Sequence, residues 1–123
     1  LDNRMSTIKA NDLQNASGGI PTVKGQDLIP TAWVSFIQTT NVIHASENVS
    51  SLTDIAVGKT YVNFAVNMAS NNYACVASGK QTVWGNSNSG AAVYAVNYVY
   101  VINVDSGSFA DSPIISAAVF GGQ

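Results

Sequence analysis

Residues 60–68 alternate apolar and polar side chains, and this alternation constrains the fold more than any other feature of the sequence. Successive side chains of an extended chain point to opposite faces, so the apolar ones share a face: Val62, Phe64, Val66 and Met68. This pattern is typical of an antiparallel strand with one face on the core and the other facing water. Similar short runs, separated by turns rich in Asn, Ser and Gly, lie at residues 33–37, 41–45, 49–55, 73–78 and 114–120. No stretch has the periodicity of an ordinary helix, so the sequence predicts an all-β fold, an antiparallel β-sandwich of about seven strands.

Residues 91–104 form an unusually long apolar run, which we interpret as a single strand. Both of its faces are apolar over residues 99–102, and a strand of that kind needs cover on both sides. Because no helix is predicted, we expect the second cover to come from another subunit. The polar residues 105–108 then predict a turn into the closing strand.

Residues 1–30 differ from the rest of the chain, because they are polar and their few apolar side chains are too sparse to form a core. We expect an extended N-terminal arm or neck over residues 1–30, with a short helix as the alternative at residues 7–15. A β-sandwich domain is expected over residues 31–123. Because the chain begins with Leu1 rather than Met, we also expect it to be a piece of a longer protein.

The composition limits the classes of function. Hydrophobic residues make up 46% of the chain and charged residues only 10%, whereas globular domains typically have about 25% charged residues. The net charge is −2 and the five basic residues are scattered, so binding to nucleic acid through phosphate neutralisation is not expected. No apolar run approaches the roughly 20 residues of a membrane span, so membrane insertion is not expected either. A neutral polar surface suits an extracellular particle or a large subunit interface.

The sequence offers few groups for catalysis or metal binding. His44 is the single histidine and Cys75 the single cysteine, so neither a zinc motif nor an intrachain disulfide can form within one chain. We expect Cys75 to pack as a small hydrophobe. We predict no catalytic residue, no cofactor and no metal site within a chain. The alternative that stays open is a symmetric site in which three copies of His44 meet on a threefold axis. Glycoside hydrolysis needs two facing carboxylates. Glu47 and Asp54 flank one predicted strand from opposite ends, which separates them.

The best candidates for binding lie in the polar loop at residues 79–90. Sugar recognition places an aromatic ring against the apolar face of a pyranose, while amides and hydroxyls bond to the sugar hydroxyls. Trp84 is an aromatic residue in a segment rich in Asn, Ser and Gly. The candidate binding residues are Gln81, Trp84, Asn86 and Asn88. The alternative is that Trp84 folds back as a plug or reaches a neighbouring subunit. Tyr73, Tyr94 and Tyr98 are predicted to be packing residues, and Trp33, which opens the first strand, is predicted to lie in the core.

Four short motifs follow one another along the chain. They are Ala-Trp-Val-Ser-Phe at residues 32–36, Glu-Asn-Val-Ser-Ser-Leu-Thr-Asp at 47–54, Tyr-Val-Asn-Phe at 61–64, and Met-x-x-x-Asn-Tyr-Ala at 68–74. Together, and in this order, they resemble the C-terminal receptor-binding (tip) domains of bacteriophage tail-fibre proteins. Residues 7–15 are similar to the segment that precedes such domains and links them to the fibre shaft. The resemblance covers residues 7–16 and 32–120.

The resemblance implies a homotrimeric domain at the distal end of a tail fibre, located on the virion. It implies adhesion to a bacterial surface receptor, a polysaccharide in the first place and a protein as the alternative, without catalysis. Other tail proteins would be partners on the N-terminal side, and an arm could wrap a neighbouring subunit. Two alternatives stay open: a structural virion component, such as a collar, neck or decoration domain, and a hydrolase of envelope polysaccharide.

Overall fold

The computed structural model describes residues 7–22, 28–80 and 87–123. Within these ranges the chain forms strands and no helix. Residues 7–22 and 28–31 have no regular secondary structure, so the short helix considered at residues 7–15 is absent. The strands are β1 (Ala32–Ile37), β2 (Val42–Glu47), β3 (Val49–Ala56), β4 (Lys59–Phe64), β5 (Tyr73–Gly79), β6 (Ser87–Tyr94), β7 (Tyr98–Asp105), β8 (Ser108–Phe109) and β9 (Ile115–Gly121).

The strands form two sheets that pack face to face. Sheet I has the order β2-β1-β9-β5, and sheet II has the order β3-β4-β7-β6 with the short β8 paired to β7. Every strand pair is antiparallel. The predicted all-β class with two antiparallel sheets is therefore confirmed, and the two layers have the arrangement of a sandwich.

The core lies between the sheets, because the inner face of each strand carries its apolar residues. In β1 and β9 the buried positions alternate with exposed or half-buried ones, as the pleat requires. Met68, from the connection between β4 and β5, also reaches the core. The buried apolar side chains on the strands are Ala32, Val34, Phe36, Val62, Phe64, Val99, Val101, Ile115, Ala117 and Val119.

The expected long strand over residues 91–104 is wrong, since this segment is a hairpin. β6 ends at Tyr94, residues 95–97 turn the chain, and β7 begins at Tyr98. The amide of Ala95 donates to the carbonyl of Tyr98 across the turn (3.1 Å). No Gly or Pro marks this turn, so the apolar run looked continuous in the sequence. Val99 and Val101 are fully buried against sheet I of the same chain. The inner face of β7 is therefore covered within the chain itself, and only the outward face of β7 is not part of the core.

The strand predicted over residues 60–68 is shorter than expected and ends at Phe64. Two positions beyond it, Val66 is 71% exposed. The side chain of Asn48, which stands between β2 and β3 at φ 54°, holds this segment. Its Oδ1 accepts from the amide of Val66 (2.7 Å), and its Nδ2 donates to the carbonyls of Val66 (3.2 Å) and Thr31 (3.1 Å). The side-chain carboxamide of Asn48 thus makes the hydrogen bonds with Val66 that a neighbouring strand would have made if β4 had continued.

The antiparallel topology separates the two ends of the domain. The chain enters β1 and leaves β9 at one end, which we call the proximal end, and Thr31 is bonded there to the carbonyls of Val119 (2.8 Å) and Gly121 (3.0 Å). The β2–β3, β4–β5 and β6–β7 connections lie at this end as well. The β1–β2, β3–β4 and β5–β6 connections and the segment between β7 and β9 lie at the opposite, distal end.

Candidate functional site

The predicted binding loop stands in the sequence between β5 and β6, and β5 ends and β6 begins at the distal end. Gln81, Trp84 and Asn86 lie outside the described residues, so their role stays a prediction. Asn88 is described: it lies in β6, is exposed, and stands opposite Val104 of β7. The structure therefore places one of the four candidates on the surface of sheet II, next to the end of the loop.

Hydrogen bonds fix both roots of this loop. The amide of Lys80 donates to the carbonyl of Ile114 (2.8 Å), and the hydroxyl of Ser112 lies 3.1 Å from the carbonyl of Lys80. On the other side, the hydroxyl of Ser89 donates to Oδ1 of Asn103 (2.6 Å). Asn103 is 2% exposed and its Nδ2 donates to the carbonyl of Ala110 (2.8 Å). Lys80 and Ser89, which flank the loop, are therefore held by partly buried hydrogen bonds to neighbouring elements.

A buried polar network joins the two sheets beneath the distal end. Gln38 is 2% exposed; its Nε2 donates to the hydroxyl oxygen of Thr60 (3.2 Å), and its Oε1 accepts from the amide of Ser112 (3.0 Å). Thr60 and Ser112 are themselves 0% and 1% exposed. Because buried polar groups are costly unless bonded, these contacts hold the distal end in one arrangement.

An aromatic cluster, which we call the tyrosine face, occupies the outward side of sheet II. It consists of Tyr61 of β4 and Tyr98 and Tyr100 of β7, all partly exposed. Tyr61 and Tyr98 stack with ring centroids 4.1 Å apart at 13°, while Tyr61 and Tyr100 meet edge to face at 5.0 Å and 84°. A side-chain hydrogen bond with Tyr61 raises the pKa of Tyr98. The three rings thus form one contiguous aromatic surface.

Polar side chains border the tyrosine face on the β3 side. Asn63 stands opposite Tyr98 across the β4–β7 pair and opposite Ser51 across the β3–β4 pair. Its Nδ2 donates to the hydroxyl oxygens of Ser51 (3.1 Å) and Thr53 (2.9 Å). Both amide hydrogens of Asn63 are therefore engaged, which orients its carboxamide group and leaves two exposed hydroxyls beside the rings.

A cation lies at the distal edge of the tyrosine face. Lys59 lies on the same face of β4 as Tyr61, two positions before it in the sequence. Its Nζ is 4.2 Å from the centroid of the Phe109 ring. Phe109, in β8, is 48% exposed. On this face, the residues that stand opposite each other on β4 and β7 form three rows. These rows are Asn63 with Tyr98, Tyr61 with Tyr100, and Lys59 with Ile102.

The tyrosine face is not among the sites predicted from the sequence, where Tyr98 is expected to pack and Tyr61 and Tyr100 are not singled out. The available signal was the alternation of β4, which already put Tyr61 and Asn63 on its polar side. The signal could not be used without the β4–β7 pairing, which brings Tyr98 and Tyr100 beside them.

The outward side of sheet I has a different character. Trp33, which we expected in the core, is 39% exposed there, so that prediction is wrong. Its neighbours across β9 and β5 are Ala118 and Val76, and a shallow groove of about 390 Å³ runs between them. The adjoining row consists of small side chains: Ala45, Ser35, Ser116 and Ser78. This face is flat and carries little charge, with Glu47 at its edge.

His44 and Cys75 lie on different strands of sheet I. His44 is exposed in β2, at an edge of the sheet. Cys75, in β5, is partly buried and packs against the core, as expected. Burial raises the pKa of the Cys75 thiol to about 11, so it is protonated at neutral pH and a poor nucleophile. Its neighbour Tyr73 has its pKa raised to about 12, chiefly by burial, and its hydroxyl reaches the carbonyls of Ala95 (2.9 Å) and Tyr98 (3.0 Å).

The two carboxylates considered for glycoside hydrolysis, Glu47 and Asp54, do not converge. Glu47 ends β2 in sheet I, whereas Asp54 lies in β3 of sheet II. Asp111 accepts from the amide of Gly58 (2.7 Å) and so supports the β3–β4 turn. Within residues 7–22, 28–80 and 87–123, no group of three or more His, Cys, Asp or Glu side chains could hold a metal ion. A site formed by several copies of His44 stays a prediction.

The described ranges contain no helix long and apolar enough to cross a membrane. Comparisons with protein-family models, with curated proteins and with solved structures found no match to this chain.

Proposed function

We propose that this chain is the distal, receptor-binding domain of a bacteriophage tail fibre, which attaches the virion to a bacterial surface polysaccharide without catalysis. In this proposal residues 1–30 form an arm that links the domain to the fibre shaft and to other tail proteins. The domain is a homotrimer, and binds with no cofactor. The four motifs at residues 32–36, 47–54, 61–64 and 68–74 support this reading of the sequence.

One structural observation carries the proposal: the separation of the proximal and distal ends. The N-terminal segment joins the domain where β9 also ends, and Thr31 is bonded there to Val119 and Gly121. At the other end β5 ends and β6 begins, and hydrogen bonds to Asn103 and Ser112 hold the chain there. A domain with this layout can be held at one end while it presents loops at the other, which is what an adhesion domain requires.

Assembly would strengthen the attachment. Individual protein–sugar contacts on an open surface are weak, and linking several copies raises the effective concentration of the second and third sites without any new contact. A trimer on each fibre, and several fibres on each virion, would convert weak binding into stable adhesion. The weakly charged outward face of sheet I around Trp33 suits a contact between copies, because subunit interfaces are depleted in charge at their centre.

The proposal is tested with the purified chain on an array of bacterial O-antigen and capsular polysaccharides, with its mass in solution measured by light scattering. We expect a trimer that retains at least one polysaccharide, releases no reducing sugar from it, and loses it on Trp84→Ala with the mass unchanged. Release of sugar, or a monomeric mass, would contradict the proposal.

A structural role in the virion is the second candidate. The flat outward face of sheet I, with the groove beside Trp33, favours it because such a face suits contact with another protein as well as with another copy. A blank polysaccharide array together with tight binding to an isolated virion component would establish this role and exclude adhesion.

A further inference from the structure

We propose that the tyrosine face of sheet II is a second glycan-binding site, on the flank of the domain, and that it takes an uncharged polysaccharide chain. This inference rests on the proposed adhesion function and deepens it, because it names a site away from the distal loop and the chemistry of its ligand. It is carried by Tyr61, Tyr98 and Tyr100 and by the polar group formed by Asn63, Ser51 and Thr53.

The rings are held in place before any ligand arrives. Tyr61 lies between the other two, stacked on Tyr98 at 4.1 Å and in edge-to-face contact with Tyr100 at 5.0 Å. Both geometries are favourable for aromatic pairs, and they restrict the side-chain rotamers. A ligand that contacts these rings therefore loses little affinity to ordering them. All three rings are partly exposed, so the C–H groups of a sugar can pack against the aromatic carbons that the stack leaves open.

The polar border supplies both a donor and an acceptor. A hydroxyl can accept two hydrogen bonds and donate one, and Ser51 and Thr53 each accept from Nδ2 of Asn63 (3.1 and 2.9 Å). Their own hydrogens are thus available to donate outward. Within the described part of the chain, no donor reaches Oδ1 of Asn63, so this oxygen is available to accept. Adjacent sugar hydroxyls, which both donate and accept, match this arrangement.

The charge distribution favours an uncharged glycan. The rows across β4 and β7 contain one cation, Lys59, and no carboxylate. The ammonium group of Lys59 is placed over the Phe109 ring, 4.2 Å from its centroid, where the cation–π contact already engages it. The centre of the face is therefore aromatic and neutral, so an acidic sugar would find no free cation beside the rings in the described residues.

The shape of the face favours a chain over a single sugar. Asn63, Tyr61 and Lys59 occupy alternate positions of β4, so the rows extend over about 14 Å at the usual rise of an antiparallel strand. This distance exceeds the width of one pyranose ring, and the face lies open on the surface of the sheet. A polysaccharide that runs along the strands can contact successive rows with successive sugar units.

The test uses the full chain on the same array of bacterial polysaccharides, with Tyr61→Ala and Tyr98→Ala as the disrupting variants. Tyr98→Phe keeps the ring and serves as the conservative variant. Val66→Ala is the control, since Val66 is 71% exposed and belongs to neither the tyrosine face nor the outward face of sheet I. We expect each alanine variant to bind an uncharged polysaccharide about tenfold more weakly or worse. Tyr98→Phe and Val66→Ala should bind it as the native chain does, and the affinity should not change with salt.

Several results would overturn the inference. If the native chain binds a polysaccharide that Trp84→Ala loses but both tyrosine variants keep, adhesion stands and the flank site is wrong. A blank array removes the adhesion function and the flank site together. A fall in the mass of Tyr61→Ala or Tyr98→Ala, with glycan binding retained, would instead identify the face as a contact between copies. Circular dichroism and thermal unfolding of each variant check that it is folded.

Discussion

Replacing Gln38 by Met tests the buried polar network that joins the sheets at the distal end. Gln38 bonds to Thr60 through Nε2 and to Ser112 through Oε1. Met has nearly the same length and volume as Gln, so Gln38→Met removes both hydrogen bonds without opening a large cavity. The free energy of unfolding then reports the polar contacts rather than the packing.

The expected loss follows from the burial of the groups left behind. The hydroxyl of Thr60 and the amide of Ser112 belong to residues that are 0% and 1% exposed. Each buried polar group without a partner costs about 1–3 kcal/mol, so Gln38→Met should lower the free energy of unfolding by about 2–6 kcal/mol. A domain of this length has a total stability of about 6–18 kcal/mol, so the loss is a large fraction of it.

Urea unfolding, followed by far-ultraviolet circular dichroism, measures this loss at an unchanged dependence on denaturant. Thr60→Val and the double variant complete a double-mutant cycle, because Thr60→Val removes the hydroxyl that Gln38→Met would leave without its donor. The double variant should lose about 1–2 kcal/mol less than the sum of the single variants. A loss below about 1 kcal/mol for Gln38→Met, or strict additivity in the cycle, would refute the assigned role.

Three further predictions concern single positions. Asn48→Gly should lower the free energy of unfolding by about 1–3 kcal/mol, because it removes the side-chain hydrogen bonds. Asn48→Ala should lower it by about 1 kcal/mol more, because Ala is strained at positive φ. Urea unfolding of the two variants measures the difference, and equal stabilities would contradict it. Gly58→Ala should be more damaging than a typical surface substitution, since its Cβ would lie 2.6 Å from the carbonyl of Asn103 at φ 71°, and a melting temperature equal to that of the native chain would exclude this clash. Stability should fall at high pH: burial raises the pKa of Cys75 from 9.0 to about 11 and that of Tyr73 from 10.0 to about 12. The folded state holds both protons more tightly, so this contribution is complete below the lower values and is lost as the pH rises through the higher ones. Tyr73→Phe should flatten the upper part of that decline in urea midpoint, and an unchanged decline would show that Tyr73 does not cause it.

Local pattern was enough for the fold class and for most strands. Residues 33–37, 49–55 and 73–78 are short runs with β-branched and aromatic side chains, separated by polar turns, and the structure has strands at all three places. The hairpin of β6 and β7 was missed because residues 95–97 contain no Gly or Pro, and the apolar side chains of two strands merged into one apparent run.

The orientation of Trp33 could not be deduced from its size. In β1 the inward positions belong to Ala32, Val34 and Phe36. Because successive side chains of a strand point to opposite faces, the residues between them must point outward. A small Ala32 is therefore inside and the larger Trp33 outside. The tyrosine face was out of reach for a related reason. Its members become neighbours only through the β4–β7 pairing, which depends on contacts far apart in the sequence.

The hydrogen bonds of β1 determine how the domain would respond to mechanical tension. They join β1 to β2 on one side and to β9 on the other, and they run perpendicular to the strands. Pulling residue 31 away from the distal end acts parallel to β1, so both rows of bonds are sheared at once instead of being peeled apart singly. Such a geometry resists rupture, so under the proposed adhesion function β1 would not tear out of the domain when flowing liquid pulls on the tethered virion.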